Sequence, residues 1–146
     1  ARRLRFDLDH PHEGFSTAVA RAMAPTLPAG AHIALVDLYG AGSNLALMRY
    51  QLVYKLRPDL PWPPFDARKG NVDEYRELLA WLNGADEAAG KYVWIDNGGP
   101  GTKDLFGIDL APGSAYLLKQ EGRVYRLIRS WPVTPETERF SAEDFR

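Results

Sequence analysis

The sequence predicts a small three-layer α/β sandwich, with mainly parallel central strands and an antiparallel hairpin at its C-terminal end. The apolar runs AHIALVDLY and KYVWIDN have the length of buried strands, and they alternate with stretches of helical apolar spacing. That alternation is typical of a parallel sheet covered by helices. Near the end, SAYLLKQEGRVYRLIRSW holds two strand-like runs around Glu121-Gly122, which is the pattern of a β-hairpin.

Three helices are predicted before and between these runs. The first lies in HPHEGFSTAVARAM, where Pro11 suits the first helical turn. It should end before Pro25, because a proline disfavours the helical conformation of the residue before it. The second, LALMRYQLVYKL, follows Ser43 and Asn44, either of which can cap it. The third, NVDEYRELLAWLNG, begins with Asn71 and Glu74 at the spacing of a capping box.

Length and composition restrict the classes of function. The 146 residues predict a single domain, 1–146, which is large enough to fold around one core. A net charge of -1 provides no general attraction to nucleic acid or to an anionic membrane surface. The absence of cysteine excludes disulfides, thiolate catalysis and cysteine-type zinc sites. We therefore predict no nucleic-acid partner, and no motif in the chain requires a cofactor.

The stretch VDLYGAGSN joins a predicted strand to a predicted helix. Gly40 and Gly42 fit the start of a dinucleotide-binding turn, but Leu45 occupies the position of its third glycine. The stretch also partly matches the first motif of class I methyltransferases, although Tyr39 is inserted and Asn44 replaces the last glycine. One hypothesis is a stand-alone nucleotide-binding domain, methyltransferase-like or dehydrogenase-like. The other is a plain strand-to-helix corner.

A second glycine-rich turn, DNGGPGTKD, follows the other central strand. It lacks the ending of a P-loop, since Thr102 precedes Lys103, yet its backbone N–H groups and Lys103 could hold an anion. The alternative is a flexible loop. If the two strands are parallel, both turns lie at the edge of the sheet where ligands of open α/β sheets bind. The predicted site there comprises Asp37, Gly40, Gly42, Asn44, Asp96, Asn97, Gly99, Gly101 and Lys103.

Two further features bear on binding. Trp62 lies in RPDLPWPPFDARKG, which holds four prolines and is predicted to be a loop. An aromatic ring can stack on a sugar, so Trp62 and the second glycine-rich turn suggest a sugar- or peptide-binding module; the alternative is a ring that packs the loop onto the body. His10, His12 and Glu13 are residue types that bind zinc, but their spacing matches no metal motif, so no metal site is predicted.

The order of features from DHPHEGF through LPAGAHIALVD to LALMRYQLVYKL resembles a known domain. It is similar to the soluble C-terminal portion of bacterial GT-C-type polytopic glycosyltransferases, the dolichyl-phosphate-mannose-protein mannosyltransferase-like group. The later KYVWIDNG strand and the C-terminal hairpin also suit such a domain. The residues that stand in this pattern are Leu27, Pro28, Gly30, Asp37, Arg49 and Tyr50.

The resemblance implies an accessory, non-catalytic domain on the extracytoplasmic, periplasmic face of a bacterial membrane, where it helps to position acceptor or sugar substrate. Its partners would be the membrane-embedded part of the same parent chain and a glycan or lipid-linked sugar. The catalytic acidic residue of such a parent enzyme would lie between membrane helices, so no catalytic residue is assigned in this sequence. The basic start ARRLR agrees with a chain that is excised from a longer membrane protein.

Overall fold

A computed structural model describes residues 15–38, 45–61, 66–84 and 89–132. Within these ranges one sheet forms, with the strand order β2-β1-β3-β4-β5. Its strands are β1 His32–Val36, β2 Asp66–Ala67, β3 Lys91–Ile95, β4 Ser114–Glu121 and β5 Val124–Pro132. Strand β1 pairs in parallel with β2 and β3, whereas β4 pairs antiparallel with β3 and β5. The predicted α/β class, parallel centre and C-terminal hairpin are confirmed.

Four helices flank the sheet in the described ranges. They are α1 Phe15–Met23, α2 Leu45–Arg49, α3 Val72–Leu82 and α4 Gly101–Phe106. Helices α1 and α2 contribute to the apolar cluster on one face of the sheet, and α3 and α4 contribute to the cluster on the other. Strand β1 therefore connects to β2 across one face, and β2 connects to β3 across the other. The chain thus changes direction in the sheet between β1 and β3, which makes this the topological switch point.

The central strands are buried on both faces. In β3 the side chains of Tyr92 and Trp94 join the cluster on the α1 side, and Val93 and Ile95 join the cluster on the α3 side. This explains why β1 and β3 read as continuous apolar runs in the sequence. Lys91 begins β3 and is 3% exposed, and its Nζ donates to the carbonyl of Trp81 near the end of α3 at 2.7 Å.

Two predicted helix ends are confirmed. Helix α1 ends at Met23, and a 3-10 turn carries the chain through Pro25. At the start of α3 the side chain of Asn71 accepts a hydrogen bond from the N–H of Glu74 at 3.1 Å. The Glu74 carboxylate does not complete the capping box, because it binds the guanidinium and the N–H of Arg68 instead.

Three short elements differ from the prediction. The helix expected throughout LALMRYQLVYKL continues from Tyr50 to Leu56 as a π-helix. Strand β2 lies in the segment predicted to be a loop, and α4 begins within DNGGPGTKD, at Gly101, and ends after it, at Phe106. Two-residue strands and six-residue helices are too short for a periodic apolar pattern to indicate them.

Some predictions fall outside the described residues. These concern the capping residues Ser43 and Asn44, and the histidine-bearing segment HPHE. Among the residues that are described, no helix combines the length and apolar character needed to cross a membrane.

Candidate functional site

Two aspartates lie side by side at the carboxyl ends of the central strands. The parallel register pairs Val36 with Ile95, and the N–H of Asp96 donates to the Val36 carbonyl at 3.1 Å. Asp37 and Asp96 are therefore adjacent positions on neighbouring strands, and their carboxyl groups meet. We refer to these two residues as the acidic pair. The parallel arrangement confirms that both glycine-rich turns begin at the same edge of the sheet.

The carboxyl group of Asp96 is in an unusual environment. Its residue is 0% exposed, and within the described ranges neither of its carboxylate oxygens has a hydrogen-bond partner. Burial, followed by the charge and the carboxyl contact of Asp37, raises the pKa of Asp96 to about 7. The N–H groups of Asp96 and Leu38 lie near enough to oppose this rise, although neither makes a hydrogen bond of normal geometry to the carboxylate. Two ionised carboxylates only accept hydrogen bonds, so the pair is satisfied internally only when one carboxyl group holds a proton.

The backbone of Asp37 is held by two elements. Its N–H donates to the carbonyl of Ala67, the last residue of β2, at 2.7 Å. The hydroxyl of Tyr75 in α3 donates to the carbonyl of Asp37. Both contacts fix the backbone of Asp37 at the carboxyl end of β1. No role for Tyr75 was predicted from the sequence, because the residue lies on the apolar face of its helix. A tyrosine hydroxyl does not reveal in the sequence which carbonyl it will bind.

Asp96 is positioned by a turn that is hydrogen-bonded to the segment that leads into β4. The N–H groups of Gly98 and Gly99 donate to the carbonyls of Ser114 and Leu110 at 3.1 and 2.8 Å. A Cβ atom on Gly98 would lie 2.2 Å from the carbonyl oxygen of Ala111, which is far inside van der Waals contact. Glycine is therefore required at position 98 by the close approach of two backbones.

Side chains reinforce the same turn. The side-chain oxygen of Asn97 accepts a hydrogen bond from the N–H of Gly113 at 2.8 Å. The buried hydroxyl of Thr102 donates to the carbonyl of Gly99 at 2.8 Å and accepts from the N–H of Leu110 at 3.0 Å. These bonds make the turn a fixed support for Asp96.

The residues predicted to bind an anion lie around this turn. Gly101 begins α4, and the exposed Lys103 places its Nζ 3.4 Å from the carbonyl of Gly107. The N–H groups of Gly99 and Thr102 donate to carbonyl oxygens of the protein itself. The structure therefore brings Asp37, Asp96 and Asn97 to one edge, and the anion site stays a prediction.

Four predicted site residues have no described position: Gly40, Gly42, Asn44 and Trp62. The first three belong to the VDLYGAGSN turn, which leads out of β1 directly after the acidic pair's first member. The nucleotide-binding and Trp62 hypotheses therefore stay predictions.

A third carboxylate lies on the neighbouring strand and is neutralised. Asp66 in β2 forms an ion pair with Arg49 of α2. Burial and then the charge of Arg68 lower the pKa of Arg49. The sequence analysis missed Asp66 because β2 has two residues. Within the described ranges, no group of three or more histidine, aspartate or glutamate side chains is arranged to hold a metal ion, so the acidic pair stands as two carboxylates.

An open depression lies directly after the end of β2. It has a volume of about 550 Å³, and it is lined by residues 68–73 at the start of α3. Arg68 follows Ala67, whose carbonyl binds the N–H of Asp37, so the depression and the acidic pair share one edge of the sheet. Lys69 and Asp73 both line this depression, and the guanidinium of Arg68 is paired with the Glu74 carboxylate.

The chain was compared with known proteins in three ways. A scan against protein-family models and searches of curated proteins and of solved structures found no match to this chain. The resemblance to the GT-C group rests on the sequence pattern alone.

Proposed function

We propose that this chain is a non-catalytic binding domain that holds the sugar part of a glycan or lipid-linked sugar at the carboxyl edge of β1 and β3. In this proposal it is the accessory, extracytoplasmic domain of a membrane glycosyltransferase-like protein. The observation that carries the binding role is the acidic pair at the topological switch point, the place where open α/β sheets bind ligands. The identity of the parent protein is supported by the sequence pattern alone.

The chemistry of the acidic pair favours a ligand rich in hydroxyl groups. A buried polar group without a partner costs about 1–3 kcal/mol, and more when it is charged. The two carboxylate oxygens of Asp96 have no partner in the described ranges, so a ligand that donates to them recovers this cost. Hydroxyl donors form short, strong hydrogen bonds to ionised carboxylates. A sugar presents several such donors on one small molecule.

The nucleotide hypothesis has less support from the described residues. The N–H groups of Gly98 and Gly99, which could have faced a phosphate, already donate to backbone carbonyls. The sugar proposal needs neither free N–H groups in this turn nor a phosphate at the acidic pair.

Binding of glycans to the purified chain tests this proposal. We expect wild type to bind members of a panel of soluble glycans in calorimetric or saturation-transfer NMR titrations. Asp96→Asn should weaken that binding about tenfold or more, because an amide replaces a strong acceptor. Asp109→Asn is the matched control, since Asp109 is an exposed aspartate on the following loop. Absence of binding by wild type, or equal binding by wild type and Asp96→Asn, would contradict the proposal.

The parent-protein part has its own test. The gene upstream of Ala1 should encode several apolar segments of about 20 residues each, the length that spans a bilayer. An upstream sequence without such segments would remove the membrane glycosyltransferase from the proposal and leave the binding role to be judged by the titrations.

A further inference from the structure

We infer that Asp37 and Asp96 together hold a divalent, oxygen-preferring cation of the Mg²⁺ or Ca²⁺ type, which links the acidic pair to oxygen atoms of the bound ligand. The inference deepens the proposed function and rests on it for the ligand oxygens that complete the coordination shell. The cation site itself is built from residues of this chain.

The first argument is the meeting of two carboxyl groups. They extend from adjacent positions on parallel strands, and backbone hydrogen bonds to Val36 and Ala67 hold both positions in place. Two like charges that are 4 Å apart repel each other by about 1 kcal/mol in water, and by more when they are buried. A cation between the carboxylates turns this repulsion into two attractions.

The environment of Asp96 by itself also favours a bound cation. The residue is fully buried, and in the part of the chain that the structure describes both of its carboxylate oxygens lack a hydrogen-bond donor. Asp66, two strands away on β2, shows the structural alternative, because Arg49 neutralises it. Asp37 is the charged group that acts on Asp96, and it has the same sign.

The types of ligand decide the class of cation. Carboxylates are hard oxygen donors, which suit Mg²⁺ and Ca²⁺ better than metals that prefer nitrogen or sulfur ligands. Mg²⁺ is commonly bound by one or two carboxylates, with water and oxygens of the substrate in the remaining positions. Two aspartates at the carboxyl ends of adjacent parallel strands match that arrangement.

The small number of protein ligands predicts coupling between cation and sugar. With two carboxylates and water, the chain alone should bind the cation weakly. Ligand oxygens that replace water would tighten it, and by thermodynamic reciprocity the cation would increase sugar affinity by the same factor. A factor of about 5 to 100 is typical of such coupling.

Binding of Mn²⁺, a spectroscopic substitute for Mg²⁺, tests the cation site directly. The full 146-residue chain is stripped with EDTA, desalted and titrated with Mn²⁺, and the free ion is measured by electron paramagnetic resonance. We expect one Mn²⁺ per chain, which Mg²⁺ or Ca²⁺ displaces. Asp96→Asn and Asp37→Asn should each weaken Mn²⁺ binding about tenfold or more, whereas Asp109→Asn should not change it. Circular dichroism verifies that each variant folds.

Two results overturn the inference: no bound Mn²⁺ in wild type, or unchanged Mn²⁺ affinity in Asp96→Asn. The glycan titrations, repeated in EDTA and in Mg²⁺, separate it from the proposed function. Sugar binding that depends on Asp96 but persists in EDTA, without a Mn²⁺ site, overturns the cation and leaves the sugar-binding role in place. A Mn²⁺ site that depends on Asp96, without any glycan binding, supports the cation and overturns the proposed function.

Discussion

Charged side chains meet in two regions of this domain, around Arg57 and at the acidic pair. The two regions differ in how completely the charged groups are hydrogen-bonded. Around Arg57 every guanidinium nitrogen has an acceptor. Its Nε and Nη2 donate to the two carboxylate oxygens of Asp59, each at 2.8 Å. Its Nη1 donates to the carbonyls of Ala24 and Leu27, each at 2.6 Å, and Nη2 also reaches the carbonyl of Pro28 at 3.2 Å. We call this group the Arg57 cluster. Asp96, by contrast, is buried, and neither of its carboxylate oxygens has a hydrogen-bond partner in the described ranges.

The difference shows in the protonation of the two aspartates. Hydrogen bonding to Arg57 holds the pKa of Asp59 well below its usual range. Burial raises the pKa of Asp96 to about 7. The Arg57 cluster joins the end of α1 to the turn after the π-helix, which is a structural task. Burial without a hydrogen-bond partner is unfavourable for the Asp96 carboxylate, and such local cost is commonly found where a ligand binds.

The largest expected effect comes from removing the charge of Asp96. Its folded-state pKa, about 7, lies above its unfolded value of 3.8, so its contribution to stability is present below pH 4 and is lost as pH rises to 7. In EDTA, Asp96→Asn should therefore stabilise the domain at pH 8 relative to wild type, by up to about 4 kcal/mol, but not at pH 4. Urea unfolding of both proteins from pH 4 to 8 measures this; parallel pH profiles would contradict it.

The next effect concerns the support of the acidic pair. Gly98→Ala places a Cβ against the carbonyl of Ala111 and should cost about 2 kcal/mol or more of unfolding free energy. Because the turn carries Asp96, this variant should also weaken the Mn²⁺ and glycan binding of the folded protein. Gly107→Ala is the control, since its Cβ meets nothing within 4 Å, although its positive φ adds strain of its own. Destabilisation with full ligand binding would show that the turn does not position Asp96.

The smallest effect should follow disruption of the Arg57 cluster. Arg57→Lys keeps the charge but loses the bidentate contact with Asp59, at a cost of about 1–2 kcal/mol. Ligand binding at the acidic pair should not change. Arg76→Lys is the matched control, because its ion pair with Asp73 is exposed and should contribute about 0.5 kcal/mol or less. Equal thermal shifts for the two variants would show that the Arg57 cluster contributes little to stability.

The two regions also differ in how far the sequence could predict them. Asp37 and Asp96 were predicted site residues, because each follows an apolar run and precedes glycines, which are local signals. The Arg57 cluster was not predicted, because its guanidinium binds carbonyls about 30 residues earlier in the chain, and no local pattern encodes that contact.

The same distinction between local and distant signals applies to the fold. Strands β1 and β3 and the C-terminal hairpin were predictable because burial on both faces, or a tight turn, leaves a pattern in the sequence. Strand β2 was not, since two residues carry no period. Its absence from the prediction also hid the ion pair of Asp66 with Arg49, which requires the register of β2 against β1.

Lys91 begins strand β3 and Asp96 follows its last residue, so the register of the strand fixes the positions of both side chains. The ammonium group of Lys91 is fixed at one end by the carbonyl of Trp81 and by the indole ring, 5.1 Å from the ring centre. Asp96 follows the other end. A slip of one residue would exchange the two faces of the strand, bringing Lys91 away from its acceptor and Asp96 away from Asp37. Lys91 thus helps to fix the register of β3, and through that register it fixes the position of Asp96 beyond the opposite end of the strand.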